Sequence, residues 1–440
     1  MIVITSVAGI LIFFVSLALA VMCAQRKEYP PLVSWSLLAT GLVYGLGWVT
    51  VVHAAISGTD FLGAERITSD KDYWVLYNLS VLFSIFGIFL GWNILRPVAS
   101  LTARISSRVF FLSYKELVFI AWFMLITAFV LRYLYVSAFG GFFSYLEYSR
   151  AIRSGIFEIN NPWSFLQPFG HLTLFSSYIF WAVRRDGNKT FFNFAGFWLA
   201  FLFSVYVLYS WSGRAGFVIY LCVFLLAFIY LKHFSAKTVV IGGMVGSLAT
   251  LYLLYIISNV FEIKGADNFS YYVVKEISFP FVGFFSQLER GDYLYRGFTD
   301  LLYSPLYLLP SSWTTGLMEG VEQINTLVIS GAKKGDYGVT GTIPVDLITL
   351  GLMQIHVPGV FITSIVFGGF IKLLQVFFST IESDSLRCVF LAYAAVKISF
   401  ISIFYANPSN FVASVFPILL LILSILFYKS LMLVLRQGIR

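Results

Sequence analysis

The sequence has 440 residues, of which 59% are hydrophobic and 11% are charged, and its formal net charge is +8. Soluble domains contain about 25% charged residues, so this composition excludes an ordinary soluble enzyme and a disordered chain. The three cysteines lie in or beside apolar segments, which argues against a disulfide framework or a zinc site. The composition therefore predicts a protein embedded in a lipid bilayer.

Apolar runs long enough to cross a membrane recur along the whole chain. An α-helix needs about 20 residues to span the hydrocarbon core, where every backbone polar group must be satisfied within the segment. We predict an all-α polytopic membrane protein that forms a single integral-membrane domain over residues 1–440. Eleven spans are predicted, at residues 2–24, 33–56, 73–95, 115–138, 164–183, 191–211, 214–231, 238–260, 356–378, 387–404 and 411–435.

Lysine and arginine residues accumulate in alternate loops between these spans. Because cytoplasmic loops carry an excess of these residues, we predict that the N-terminus is outside and the C-terminus inside. Most acidic residues then fall on the outer face. The basic loops are short and contain no nucleic-acid-binding motif, so the positive charge is interpreted as a topology signal and no nucleic-acid partner is expected.

With this topology the outer loops differ greatly in length, and residues 261–355 form much the largest one. Stretches such as PFVGFF and VDLITLGLMQI are too apolar for a disordered linker. We expect this loop to fold against the outer membrane surface as short amphipathic or re-entrant helices. The large loop and the neighbouring helix ends are therefore where a functional site is expected.

Three basic residues are predicted within the outer half of the membrane. Arg132 and Lys397 lie about two turns from the outer ends of the fourth and tenth spans, and Arg214 lies in the hairpin between the sixth and seventh. A cation at the centre of a spanning helix costs about 2.5–3.5 kcal/mol. Each could extend its charge to the headgroups, or the set could bind an anion. The small neighbours of Arg214 in SGRAG favour close approach of a ligand.

The outer loops carry four further arginines, and Arg150 and Arg153 are one helical turn apart. These cations, without a metal-ligand pattern, predict metal-independent binding of a diphosphate, with no cofactor. Several side chains near the outer helix ends are candidates for a catalytic base. The loop arginines are Arg150, Arg153, Arg290 and Arg296, the histidines are His53, His171 and His356, and the acids are Glu147, Asp292, Asp300, Asp336 and Asp346.

Three segments, together with the architecture, resemble the O-antigen polymerase (Wzy) family of oligosaccharide repeat-unit polymerases. They are SGRAG, LERGDYLYRGFTDLLYSPLYLLPSSW and YGVTGTIPVDLITLGLMQIHVPGVF. The first places the family's hairpin arginine on Arg214. The second matches an Arg-x-Asp pattern with Arg290 and Asp292 and a Pro-x-x-Trp pattern with Pro310 and Trp313. The Arg-x10-Gly spacing of some members is absent here, as is the lysine that often follows Pro-x-x-Trp.

This resemblance implies a GT-C-like membrane glycosyltransferase of the bacterial inner membrane with its active site facing the periplasm. It would transfer a growing glycan from undecaprenyl pyrophosphate to another lipid-linked repeat unit, producing O-antigen, enterobacterial common antigen, capsule or exopolysaccharide. Its partners are the lipid-linked donor and acceptor, with a chain-length regulator and a flippase as candidates in the same membrane. The predicted catalytic residues are Arg214, Arg290, Asp292 and His356, and the predicted substrate-binding residues are Arg132, Arg150, Arg153, Arg296 and Lys397.

Other functions fit parts of this pattern. An O-antigen ligase would transfer the glycan to a lipid-core sugar, but it would favour a histidine base in the large outer loop, and residues 261–355 contain none. A lipid-linked oligosaccharide flippase would also explain cations inside the membrane. The sequence shows no internal repeat, however, and transporters usually bind substrate near the midplane between repeats. A protein that only binds or scaffolds is the remaining alternative.

Overall fold

The computed structural model describes residues 2–25, 27–154, 161–211, 213–260, 269–290, 295–309 and 319–438, and every regular element in these ranges is helical. The helices in chain order are α1 (Ile2–Ala24), α2 (Leu32–Ile56), α3 (Ala64–Ser69), α4 (Asp72–Ile94), α5 (Arg96–Val109), α6 (Tyr114–Ser137), α7 (Phe142–Ser154), α8 (Leu172–Arg185), α9 (Phe191–Trp211), α10 (Gly213–Leu231), α11 (Ala236–Val260), α12 (Phe269–Ile277), α13 (Phe279–Glu289), α14 (Thr299–Leu302), α15 (Val321–Ser330), α16 (Leu347–Ser379), α17 (Asp384–Phe404) and α18 (Pro408–Gly438).

Nine of the described helices are long and apolar enough to cross a membrane, namely α1, α2, α4, α6, α9, α11, α16, α17 and α18. The protein is therefore a multi-pass, all-α membrane protein, in agreement with the predicted class. The shorter helices α8 and α10 lie at the positions of the two other predicted spans. The count of eleven spans stays a prediction, as does the orientation in the membrane.

The loops rich in lysine and arginine meet at one end of the helix bundle, which we call the basic end. There Lys429 donates a hydrogen bond to the carbonyl oxygen of Arg108. The Ser383 hydroxyl donates to Asp186 across 2.6 Å, and His233 lies 3.9 Å from Glu28. Segments from distant parts of the chain are thus joined at this end. The opposite end carries the described segments 269–290, 295–309 and 319–346, and we call it the loop-rich end.

The long segment at the loop-rich end is packed into the bundle. Residues 280–288 of α13 are all buried. The rings of Phe281 and Phe285 lie 5.4 and 5.5 Å from the Trp48 ring of α2, and Phe284 lies 5.3 Å from Tyr77 of α4. Large aromatic side chains of this kind contribute much of the buried area of a core. The loop-rich end is therefore held to the membrane-spanning helices through a shared aromatic core.

Helix α16 consists of two halves that fold back on each other. Its backbone leaves the helical conformation at Ile355 and at His356, where φ is 62° and ψ is −150°. A Cβ on Gly351 would clash with Val360, and one on Gly359 would clash with the carbonyl of Gly351, so the halves touch at these glycines. The first half starts at Asp346, which accepts hydrogen bonds from the Tyr44 hydroxyl (2.7 Å) and its own helix. Because Tyr44 lies midway along α2, this half extends into the helix bundle; we call it the re-entrant half, and its position in the membrane stays a prediction.

The second half of α16 packs tightly on α4. A Cβ on Gly91 would clash with the carbonyl of Ile365, and one on Gly368 would clash with that of Ile88. Beside these contacts the Ser364 hydroxyl donates to Ser84 across 2.9 Å. Small residues allow such close approach of helix backbones inside a membrane, where van der Waals packing and hydrogen bonds drive association. The pair α4 and α16 supports the re-entrant half at the loop-rich end.

Candidate functional site

Arg132 is buried near the loop-rich end of α6. Its side chain is 0% exposed, and Nη2 donates a 2.7 Å hydrogen bond to Ser210 at the end of α9. The guanidinium carbon lies 5.0 Å from the centre of the Tyr135 ring and 4.9 Å from that of Tyr145 on α7. These contacts hold the guanidinium between three helices.

The hydrogen bonds of the Arg132 guanidinium are incomplete. Nε and Nη1 are buried without a hydrogen-bond partner, and Arg132 forms no ion pair within the described ranges. An unsatisfied buried donor costs about 1–3 kcal/mol, and more when the group is charged. Cation–π contacts offset about 0.5–2 kcal/mol of this cost. The site therefore has an excess of positive charge and of unused donors, which an anion would satisfy.

His171 lies within electrostatic reach of both Arg132 and Lys397. The positive charges of Lys397 and Arg132 both act on the His171 ring. His171 Nδ1 lies 3.1 Å from the carbonyl oxygen of Pro168, which can only accept, so Nδ1 carries a proton and Nε2 is the acceptor. Lys397 is half-buried in the π-helical segment Ala394–Phe400 of α17. We call Arg132, His171 and Lys397 the basic cluster.

The hairpin that carries Arg214 adjoins the basic cluster. Ser210, the partner of Arg132, lies four residues before Arg214, which is the second residue of α10. Helix α10 also packs against the π-helical segment that carries Lys397. The structure thus brings together the three regions in which intramembrane cations were predicted. The side chain of Arg214 lies outside the described part, so its role stays a prediction.

The remaining predicted residues belong to other parts of the loop-rich end. Arg150 and Arg153 lie in α7, which also supplies Tyr145 to the Arg132 contact, but their side chains are outside the described part. Asp292 lies outside the described ranges altogether. The roles of these three residues stay predictions from sequence.

Arg296 is engaged in an ion pair. Its Nε and Nη2 donate to the two carboxylate oxygens of Asp300 across 2.5 and 2.6 Å, and Nη2 also donates to the carbonyl oxygen of Glu319 (3.0 Å). This carboxylate raises the pKa of Arg296. Asp300 also accepts a 2.9 Å bond from Gln354 of α16. Arg296 thus ties the loop to the re-entrant half, a structural role that sequence alone did not indicate.

His356 lies at the turn between the two halves of α16, two residues beyond Gln354. Its φ and ψ fall in a region that is essentially restricted to glycine, and such conformations cost about 1–3 kcal/mol. They cluster at functional sites, where the surrounding structure holds them in place. The strained backbone conformation at His356 therefore supports this residue as a functional candidate, independently of the sequence.

Arg290 lines an open cavity of about 610 Å³ between α3, α13 and α15. Glu65, Arg66, Ser286 and Glu289 also line it. The lining contains as many carboxylates as guanidiniums, unlike the basic cluster. Arg290 is therefore in a chemically different environment from Arg132.

Glu322 is a functional candidate that the sequence analysis did not select. Its Oε1 accepts a 3.1 Å hydrogen bond from Ser409 at the start of α18, and its buried Oε2 has no partner. Burial raises the pKa of this carboxyl group above its ordinary value. A carboxylate of this kind is a stronger base than an exposed one. In the sequence Glu322 is one acid among many, and only its position against α18 distinguishes it.

The structure contains no group of three or more His, Cys, Asp and Glu side chains, within the part it describes, that is arranged to hold a metal ion. No protein-family model matches the chain, and no curated protein or solved structure is significantly similar to it. The helices themselves define the class of this protein, which is a multi-pass, all-α membrane protein. Membership in the O-antigen polymerase family stays a prediction from sequence.

Proposed function

We propose that this protein is a membrane glycosyltransferase that polymerises undecaprenyl-pyrophosphate-linked oligosaccharide repeat units. The reaction would take place at the periplasmic face of the inner membrane and produce a surface polysaccharide. The observation that carries the proposal is the buried guanidinium of Arg132, which has two unpartnered donors, lies near His171 and is bonded to Ser210 at the end of the helix that leads into the SGRAG hairpin. A diphosphate supplies the oxygens and the negative charge that this site requires.

The proposed reaction follows from the charge that develops on the donor. The acceptor hydroxyl oxygen bonds to C1 of the donor sugar while the bond from C1 to the pyrophosphate oxygen breaks. The electron pair of that bond goes to pyrophosphate, and the hydroxyl proton goes to a base. Arg132, Lys397 and Arg214 would stabilise the leaving group, because preorganised donors act strongly where charge develops in a site that excludes water.

Two histidines are candidates for the base. His171 has Nε2 as a proton acceptor beside the basic cluster, and His356 lies at the strained turn of α16. Replacing each histidine with glutamine tells the two candidates apart. The variant that lacks the base should lose most of its activity, and the activity that remains should no longer depend on pH. General bases contribute about a hundredfold to ten-thousandfold to a rate.

The test is an assay with purified protein, lipid-linked repeat units isolated from the host and no nucleotide, followed by gel electrophoresis. A polymerase produces a ladder of longer glycans. The ladder is expected to persist with EDTA, because the basic side chains of the protein, and not a metal ion, would neutralise the diphosphate. Arg132→Gln should slow the reaction about a hundredfold or more. Arg104→Gln, which changes an exposed arginine at the basic end, is the matched control and should retain activity.

The alternative functions give different outcomes in this assay. A ligase would form a bond only when a lipid-core sugar is supplied as the acceptor. A flippase would form no new glycosidic bond but would move the lipid across a vesicle membrane. If repeat units stay unchanged under all these conditions, the proposed reaction is wrong.

A further inference from the structure

The cavity beside Arg290 differs in its chemistry from the basic cluster. Its four charged residues balance, with Glu65 and Glu289 against Arg66 and Arg290. Two carboxylates would repel a diphosphate, because like charges about 4 Å apart cost roughly 4 kcal/mol at an effective dielectric near 20. The cavity therefore suits a ligand that has many hydrogen-bonding groups but little net charge.

Several lining groups are held in place by the protein. Arg66 donates from Nη1 to the carbonyl oxygen of Val328 across 3.1 Å, which fixes α3 against α15. The Ser69 hydroxyl donates to Glu289 and fixes that carboxylate at the end of α13. Side chains held by such bonds lose less conformational freedom when a ligand binds. These walls of the cavity are thus preorganised.

The lining also combines polar and apolar surfaces. Ser286 is 1% exposed, and its buried hydroxyl has no hydrogen-bond partner in the protein. Leu327 and Val328 of α15 form an apolar wall. A ligand with hydroxyl groups on its edge and carbon–hydrogen bonds on its face would match both surfaces. Ligand pockets of about 300–1,000 Å³ are common, so the volume of this cavity is sufficient for such a ligand.

We infer that this cavity is a binding subsite for saccharide units. The inference rests on the proposed function, in which a glycan must be held while its pyrophosphate occupies the basic cluster. The carboxylates of Glu65 and Glu289 would accept hydrogen bonds from sugar hydroxyls, and the arginines would donate to them. The wall formed by Leu327 and Val328 would contact the apolar face of the ring.

The test uses free saccharides and inorganic pyrophosphate as separate probes of the detergent-solubilised full chain. Saturation-transfer NMR with a panel of hexoses, N-acetylhexosamines and 6-deoxyhexoses should detect binding of at least one sugar. Glu65→Gln replaces a charged acceptor with a neutral one and should weaken that binding about tenfold. Leu327→Trp should fill the cavity and abolish it. Asp60→Asn, which changes an exposed acid five residues before Glu65, is the matched control.

The two probes distinguish failure of this inference from failure of the proposed function. Arg132→Gln should remove pyrophosphate binding and leave the sugar signal intact, whereas Leu327→Trp should do the reverse. If the wild-type protein binds a sugar but not pyrophosphate, the proposed function is contradicted and the saccharide subsite is not. If none of the sugars binds, or if sugar binding is unaffected by both Glu65→Gln and Leu327→Trp, the saccharide subsite is wrong. Displacement of the sugar by a peptide panel at this cavity would also overturn it.

Discussion

Arg132 and Arg296 are both arginines at the loop-rich end, but their surroundings differ. Arg296 has a carboxylate that accepts two hydrogen bonds from its guanidinium. Arg132 has no carboxylate partner among the described residues; it contacts the Ser210 and Tyr206 hydroxyls and two tyrosine rings, and its Nε and Nη1 have no hydrogen-bond partner. Breaking a buried ion pair is strongly destabilising, whereas replacing an uncompensated buried charge with an apolar side chain is often neutral or stabilising. The two residues should therefore respond oppositely to the same substitution.

We predict that Arg132→Met leaves the unfolding free energy of the ligand-free protein unchanged or raises it by about 1–2 kcal/mol. Arg296→Met should lower it by about 3–5 kcal/mol, because Asp300 would be left buried and unpaired. Thermal unfolding in detergent measures both. Added pyrophosphate should stabilise the wild type but not Arg132→Met. If Arg132→Met is destabilised as much as Arg296→Met, Arg132 is a structural residue and no anion site exists there.

Glu322 provides a prediction about pH. Because burial raises its pKa in the folded protein, folding favours the protonated form. Its favourable contribution is fully present below the ordinary pKa of 4.5 and is lost as the pH rises through the higher folded value. Glu322→Gln should therefore be more stable than wild type at neutral pH, and the difference should disappear in acid. Thermal unfolding across this pH range measures the effect.

Glu319→Gln is the control for this experiment. The Glu319 carboxylate is exposed and forms a 2.7 Å ion pair with Lys333 at the surface. Exposed pairs of this kind contribute about 0–1 kcal/mol. A pH-dependent gain in Glu319→Gln equal to that in Glu322→Gln would show that burial of Glu322 is not its cause.

At the scale of helices, the sequence predicts where the apolar helices lie in the chain, but it does not predict where a helix bends or changes its geometry. The predicted span at 356–378 corresponds to the second half of α16. The first half lies in the large loop, for which short amphipathic or re-entrant helices are predicted, but its apolar run does not reveal that Asp346 contacts Tyr44 inside the bundle. The predicted span at 164–183 likewise begins with the 3₁₀ segment Ser164–His171, which contains Pro168. Proline removes a backbone donor and prevents a regular start there.

The glycine contact within α16 gives a prediction at this scale. Gly359→Ala would place a methyl group against the carbonyl of Gly351, and overpacking typically costs about 1–3 kcal/mol. The variant should unfold at a lower temperature and lose activity through displacement of His356. Gly242→Ala is the control, because a Cβ there meets no atom within 4 Å and alanine favours a helix. Equal effects of the two substitutions would contradict the packing role of Gly359.

At the scale of the whole molecule, the candidate site joins residues that are far apart in the chain. Arg132 and Lys397 each lie about two turns from the predicted outer end of a span, and this spacing was enough to predict that the two residues lie at a similar depth in the membrane. Which helices are neighbours depends on packing, so the contact of Arg132 with Ser210 and its proximity to His171 were not predictable. The ion pair of Arg296 with Asp300 is an exception. Their i, i+4 spacing is visible in the sequence, although the accompanying Gln354 contact is not.

The orientation of the whole protein is a further prediction. A reporter that is active only in the periplasm should be active after Tyr337, which is 98% exposed at the loop-rich end, and inactive after Gly187 at the basic end. The excess of lysine and arginine at the basic end is the physical reason. Both fusions lie in loops, so neither should disrupt a helix. The opposite pattern would place the basic cluster and the cavity on the cytoplasmic side.

The glycine contacts between α4 and α16 also restrict how a lipid-linked molecule could move through the protein. Two helices whose backbones touch at Gly91 and Gly368 cannot separate without losing their whole interface. By contrast, only 11% of the apolar stretch of α11 is buried, and Gly242 and Gly246 face open space. In a bilayer, acyl chains would fill that space. Under the proposed function, we therefore expect a polyprenyl tail to enter and leave sideways past α11, so that a spent carrier and the next one must use the same exit in turn.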